Sequence, residues 1–277
     1  MSKKVAIKKS TLGAIGEAVR NKEGSTDLIP VNALADRIGA LPTASGENKL
    51  AQFVEGALTE ITAEDLEGIT EIRSYAFYYA PITTIQLPNT ITTIYGYSFN
   101  NSKIERLVFP NSITLMQNNI CSGCSKLKSV VLPENTQITA VPQSMFSSCY
   151  ELDNVVIPNS ITLISGSAFY NCSKLSNLTL SNALTEIGSS AFLECKALIN
   201  LTLPATLTQI GGSALQCGTT TNKATITFLR TTPPTITTST FKAIYLNKII
   251  VPAGCGDAYK NATNWANFAD YIEEATV

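Results

Sequence analysis

Seven cysteines and no histidine bound the chemistry this chain could perform. Thiolates are nucleophiles and soft metal ligands, so seven of them invite a metal centre or a redox pair. The missing histidine removes the commonest general base, the usual activator of a nucleophile and the commonest metal ligand together. Cys124, Cys149, Cys172 and Cys195 recur at intervals of 25, 23 and 23 residues. A zinc site needs ligands that converge on a point, whereas so regular a spacing lays its sulfurs out along a line. Buried thiols acting as small apolar groups suit such a column better. Cys121 and Cys124 form a CxxC with no second pair, and a disulfide between neighbouring rungs stays open.

The carboxylates are scattered. Glu64, Asp65 and Glu67 share one turn, and Glu273 and Glu274 another. Paired acid and base carboxylates must oppose each other across a cleft, so these read as solvated loops. No glycine-rich phosphate loop precedes a helix and no GxSxG elbow is present. The chain is therefore expected to be no enzyme, with no cofactor and no metal.

The cysteine spacing belongs to a larger repeat that must position everything else. From Ile161 the chain reads ITLISGSAFYNCSKLSNLTLSNA, and from Leu184 it reads LTEIGSSAFLECKALINLTLPAT. Matching units begin at Ile69, Ile91, Ile113, Ile138, Ile161, Leu184 and Leu207, with successive steps of 22, 22, 25, 23, 23 and 23. Each carries IxxI, then AF, then a cysteine or small residue, then LxxLxLP; in one unit these are Ile161, Ile164, Ala168, Phe169, Cys172, Leu175, Leu178 and Leu180. No single unit can bury that set alone, but stacked units turn each position into a continuous ladder.

Alternation within LxxLxL is the period of a half-buried strand, and Pro88, Pro110, Pro133, Pro158 and Pro204 end it, with Ser181 the exception. Strands are expected near Thr84 to Leu87, Arg106 to Phe109, Ser129 to Leu132, Asn154 to Ile157, Asn177 to Leu180 and Asn200 to Leu203, joined in one parallel sheet. This pattern resembles the BspA-like class of leucine-rich repeats, whose units read LxxLxLPxxLxxIxxxAFxxCxxL. The unit from Leu207 departs from it, since Cys217 is followed by GTTTNKATITF, which reads as an insertion.

The expected fold is an α+β solenoid with a parallel sheet, an N-terminal helical hairpin and a C-terminal helical cap. Its expected parts are a hairpin over 1–42, a linker over 43–50, an N-terminal cap over 51–68, repeats over 69–230 and a C-terminal cap over 231–277. In the hairpin, Leu12, Ile15 and Val19 share one helical face and Leu34, Ile38 and Leu41 another, an apolar surface for attachment or self-association. At the other end a strand over Lys248 to Val251 precedes short helices carrying Tyr259, Trp265, Phe268, Tyr271 and Ile272, which cover the last core layer. The segment TLGAIGEAVRNKEGSTDLIPVNALADRIGAL also resembles a module at the N-termini of phage and prophage structural proteins of gut Firmicutes. Gly16 and Leu34 stand where such modules often carry Ala and Met.

With 15% charged residues against about a quarter in ordinary domains, the chain relies on Thr, Ser and Asn for solubility. A net charge of −1 argues against nucleic acid. Lys3, Lys4, Lys8 and Lys9 read as a solvated tail. No apolar run reaches the ~18 residues of a membrane span, and Met1 to Ser10 lacks the apolar core of a Sec leader.

Side chains alternate along a strand, so the outward columns can be read off: Thr84, Arg106, Ser129, Asn154, Asn177 and Asn200 in one, and Gln86, Val108, Val131, Val156, Thr179 and Thr202 in the next. A partner is expected on Arg106, Val108, Val131, Asn154, Val156, Asn177, Thr179, Asn200 and Thr202. The role expected from these features is that of a non-enzymatic virion component, attached to other virion subunits, or to itself as a homo-oligomer, through the hairpin. Its sheet would face a host-surface protein or glycan. The alternative is a bacterial cell-surface adhesin, the role that the BspA-like resemblance implies.

Overall fold

A computed structural model describes residues 59–276. The helical hairpin, the linker, residues 51–58 of the expected cap, and with them Leu12, Ile15, Val19, Leu34, Ile38 and Leu41, lie outside the described residues.

Each LxxLxL segment forms a short strand that pairs in parallel with the same segment one unit away. Numbered along the chain, β1 (Glu60–Ile61), β3 (Thr84–Ile85), β5 (Arg106–Val108), β7 (Ser129–Val131), β9 (Asn154–Val156) and β11 (Asn177–Thr179) make a six-stranded sheet in that order. A further sheet contains β13 (Asn200–Leu203), β15 (Ala224–Phe228), β16 (Leu246–Val251) and β17 (Ile272–Glu274). The IxxI segments pair likewise into a second series. It comprises β2 (Glu71–Ile72), β4 (Thr93–Ile94) and β6 (Leu115–Met116), then β8 (Ala140–Val141), β10 (Leu163–Ile164), β12 (Glu186–Ile187) and β14 (Gln209–Ile210). Each unit is thus one coil with a strand on two sides.

A threonine after the first Ile or Leu of each unit strengthens the second series. Thr70 O accepts Thr92 N at 2.8 Å and Thr92 Oγ1 at 3.3 Å. Thr114, Thr162, Thr185 and Thr208 repeat the arrangement on the carbonyls of Thr92, Thr139, Thr162 and Thr185. The amide of the following residue reaches the same oxygen, as Thr93 N does to Thr70 O at 3.3 Å, so the hydroxyl is a third donor and one backbone oxygen ties three groups of the next coil. Between coils the chain turns through left-handed conformations. Asn101, Asn119, Ser144, Ser148, Ser167, Asn171, Ser190 and Ser213 all have φ between 52° and 61°; short polar side chains tolerate that region best.

The core fills the space between the two series. Ile161, Ile164, Ala168, Phe169, Cys172 and Leu175 are at most 1% exposed, and the equivalents in neighbouring coils continue each column. Phe169 stacks between Phe146 and Phe192, with ring centroids 5.4 and 5.5 Å away. Phe77 and Phe99 stack in the same way at 5.2 Å. Between these two stacks the phenylalanine position is taken by Cys121, which explains the CxxC: one cysteine belongs to the phenylalanine column and the other to the cysteine column. The column thiols are not idle packing. Cys124 Sγ donates to Phe99 O at 2.9 Å, Cys172 Sγ to Phe146 O at 3.1 Å and Cys195 Sγ to Phe169 O at 3.1 Å, each reaching one coil back. Burial pushes the Cys172 thiol up to about 12 and Cys217 likewise to about 12. All seven cysteines are unpaired as thiols.

Several expectations need correction. The described residues form a parallel-sheet β-solenoid of leucine-rich-repeat type with little helix, so the expected α+β character is not borne out among them, and the expected hairpin lies outside them. Among the described residues helix is confined to α1 (Gly256–Lys260) and to 3-10 turns at Glu64–Leu66, Ala243–Tyr245 and Ala266–Tyr271. The C-terminal end is not closed by helices alone, since β17 extends the sheet beyond them. Around α1, Tyr259 donates from its hydroxyl to Arg230 O at 2.7 Å and Trp265 Nε1 donates to Pro234 O at 2.9 Å, so both rings are buried with their polar atoms satisfied. After Cys217 the repeat resumes as β15, with Ile226 and Phe228 in the leucine places. Nor is there one continuous sheet, for no strand pairing joins β11 to β13 or β6 to β8. Leu178 and Leu180, expected in the core, are only half-buried beside the first of these gaps.

Two measurements test this packing. Phe169→Ala should destabilise by about 3–5 kcal/mol in denaturant unfolding, as other large-to-small core changes do; a loss under about 1 kcal/mol would remove Phe169 from the column. A thiol reagent at about pH 8, where an ordinary cysteine is partly ionised, should modify only the half-buried Cys255 in the native chain and all seven cysteines once it is unfolded. Modification of Cys172 in the folded protein, read by mass spectrometry, would contradict its burial.

Candidate partner-binding face

The outward residues of the first sheet arise from strand alternation alone. In β5, β7 and β9 the middle residues Leu107, Val130 and Val155 point inward and are at most 7% exposed. Their neighbours must then face out. Arg106 pairs with Ser129 and Ser129 with Asn154; Asn154 pairs with Asn177, and Val156 with Thr179. Val108 pairs with Val131. Val108, Val131 and Val156 are 42%, 45% and 56% exposed, apolar surface on three successive strands. Arg106, Asn154, Asn177 and Thr179 are exposed beside them.

Asn200 and Thr202 are exposed too, but they pair with Thr225 and Thr227 on the far side of the β11 to β13 gap. The structure therefore brings seven of the nine expected residues onto one sheet and places these two on the next.

Charge gathers along the leading edge of the face. Lys128 Nζ lies 2.7 Å from Glu105 Oε2, and Lys174 Nζ lies 2.7 Å from Glu151 Oε2, each pair spanning adjacent coils. The Lys174 ammonium holds the Glu151 carboxyl below its ordinary range. Both pairs are exposed, so their worth lies in orienting side chains more than in stability.

Of the clustered carboxylates seen in the sequence, Asp65, Glu273 and Glu274 have structural partners. Asp65 accepts from Thr62 N and Thr62 Oγ1, both at 2.9 Å. Glu273 meets Lys248 at 3.0 Å. Glu274 accepts Gly254 N and Gly256 N, both at 2.7 Å, and these backbone donors hold its carboxyl below the usual range. Among the described residues no three Cys, Asp or Glu side chains converge to hold a metal ion.

One feature of the surface is not apparent from the sequence. Where β6 and β8 fail to pair, a groove of about 270 Å³ opens, lined among others by Leu115, Met116, Asn118, Ile138, Ala140 and Pro142. In other coils the residue at the position of Pro142 donates its N–H to the coil before: Gln117 to Ile94 O, Ser165 to Val141 O, Gly188 to Ile164 O. Proline has no such hydrogen. The segment from Pro133 to Ile138 also holds two more residues than Pro110 to Ile113. The 25-residue step and the proline were both visible, but only together do they spell a gap.

The family comparison matches residues 51–150 and 139–267 to the BspA type leucine rich repeat region, in 6 copies. No curated protein matches the chain. Among solved structures, a leucine-rich repeat protein from Bacteroides ovatus shares 20% identity at a TM-score of 0.56, over 71% of this chain and 53% of that one. A leucine rich cell surface protein from Faecalibacterium prausnitzii shares 21% identity at 0.45, over 75% and 64%. The Treponema pallidum leucine rich repeat protein shares 22% at 0.41, over 61% and 72%. The chain thus spans about half the length of the first of these and under two thirds of the second. With a matched repeat profile across more than half its residues and coils that stack as that profile requires, the chain belongs to the BspA-type leucine-rich repeat family.

Proposed function

We propose that this chain is a non-enzymatic binding protein displayed at a bacterial cell surface, holding a partner protein on the outward face around Arg106, Val108, Val131 and Val156. The observation that carries this reading is the exposed valine strip, 42–56% accessible on three successive strands. A rigid solenoid can present such a strip without reorganising, which lowers the entropic cost of association. Family membership supports a binding scaffold and the adhesin role. The virion reading rests on the expected N-terminal hairpin, the linker and the lack of a Sec-type leader in Met1 to Ser10, and neither the described residues nor the comparisons support it.

The face is tested by placing a charge in the strip. Val131→Asp should leave the unfolding midpoint nearly unchanged, as exposed substitutions commonly do within about 0.5 kcal/mol. It should weaken binding of the full chain to a panel of immobilised extracellular-matrix proteins by about tenfold or more, equivalent to about 1.4 kcal/mol. Unchanged binding would remove this face from the interaction. Location is tested by mass spectrometry of washed envelope and density-purified particles from the source culture. Envelope enrichment is expected; particle enrichment would reinstate the virion reading.

A further inference from the structure

The corners after β2 and β4 carry side chains that the other corners avoid. The first left-handed position of each coil is held by Asn119, Ser144, Ser167, Ser190 and Ser213 in the later coils, but by Tyr75 at φ 62° and Tyr97 at φ 61° in the first two. The second is held by Asn101, Ser148, Asn171 and Glu194, but by Tyr79 at φ 55° in the first. A ring on the β-carbon is strained in that region, and bulky residues rarely stay there without a purpose that offsets it. Core packing does not supply one. Phe77 and Phe99, beneath these corners, already fill the interior at 2% and 0% exposure.

The tyrosines instead form a surface. Tyr75 and Tyr97 stack with centroids 5.2 Å apart and planes 8° from parallel. Tyr78 stands edge-on to Tyr75 at 5.4 Å and to Tyr79 at 4.6 Å. Tyr75, Tyr79 and Tyr97 are 37–39% exposed. Residues 74–79, 95–101 and 117–119 contain no Lys, Arg, Asp or Glu and include Asn100, Asn101, Gln117, Asn118 and Asn119; the exposed Arg73, which opens the turn carrying Tyr75, is the one charge bordering the first of these segments.

Rigid rings with hydroxyl rims offer broad contact for little lost side-chain entropy. Beside planar amides, with no acidic residue in these segments and one guanidinium that can donate to hydroxyls, they match an uncharged ligand with a flat apolar face and a rim of hydroxyls. We propose that Tyr75, Tyr79 and Tyr97 form a stacking platform for the pyranose rings of a neutral polysaccharide. The site is separate from the valine strip and does not rest on the function assigned to it.

Affinity electrophoresis of the full chain tests this, in native gels containing arabinoxylan, mixed-linkage β-glucan, galactomannan or mannan, with mucin alongside. Wild type should be retarded in at least one neutral polysaccharide, and Tyr97→Asn and Tyr79→Asn should each weaken that retardation at least tenfold. Asparagine stands at the equivalent positions 119 and 101, so both variants should melt at or above the wild-type temperature. If Tyr97→Asn does not fold, Tyr79→Asn carries the test. No retardation in any polysaccharide gel, retardation untouched by either change, or tyrosine-dependent binding to mucin that persists after its glycans are removed would each overturn the proposal. A lower melting temperature in both variants would do so as well, by showing that the rings serve the fold.

Discussion

Backbone hydrogen bonding between each coil and its two neighbours governs this molecule. The arrangement is visible at Thr92, Thr114, Thr185 and Thr208, where both the amide and the hydroxyl reach back to a threonine carbonyl one unit earlier. Buried or half-buried backbone groups need partners, and in a stacked coil only the adjacent coil can supply them. The period stays at 22 or 23 residues through most units, though Asn200 still pairs with Thr225 and Gln209 with Thr235 across longer steps. Where two residues are added before Ile138 and Pro142 removes a donor, pairing is lost on one side, while β7 and β9 keep it on the other.

The same translation explains the core. A column is filled mostly by one residue type, because each position meets its counterparts above and below, and Cys121 in the phenylalanine column is an exception. Phenylalanine serves in one column by stacking, and cysteine in another because it is small and apolar yet can still donate to a carbonyl one coil back. Ser102 occupies the cysteine place in the second coil, where its hydroxyl lies 3.4 Å from Cys124 Sγ. With the interior satisfied by repetition, the outward residues of the strands are released from folding duty, and there the columns stop being uniform: valine gives way to threonine, and arginine to serine and asparagine.

How much of this could be read from the amino-acid string depends on the range of the interactions. The columns through Phe169, Cys172 and Val131 were legible because each depends on one repeating position and strand alternation. The second series of strands was not, because two-residue strands carry no alternation of their own and show only as threonines at a fixed place. The half-burial of Leu178 and Leu180 depends on a gap between coils that their own residues do not announce. The left-handed tyrosines were equally hidden, since Tyr75 and Tyr97 become unusual only when aligned with Asn119 and the serines of the later coils. The helical cap was overestimated because Tyr259, Trp265 and Phe268 marked a covering layer without revealing that β17 lies beyond it.

The two interruptions fall at different coils and on different sheets, β6 to β8 in one series and β11 to β13 in the other. No junction is cut on both sides, so the other strand series carries the pairing across each interruption. The corners bridge the same junctions, with Asn119 N donating to Gln143 O at the first and Phe169 N to Ala191 O at the second. Cohesion along the rod is therefore redundant: each coil boundary is tied at several separate places around its circumference, and the loss of one tie leaves the stack in register.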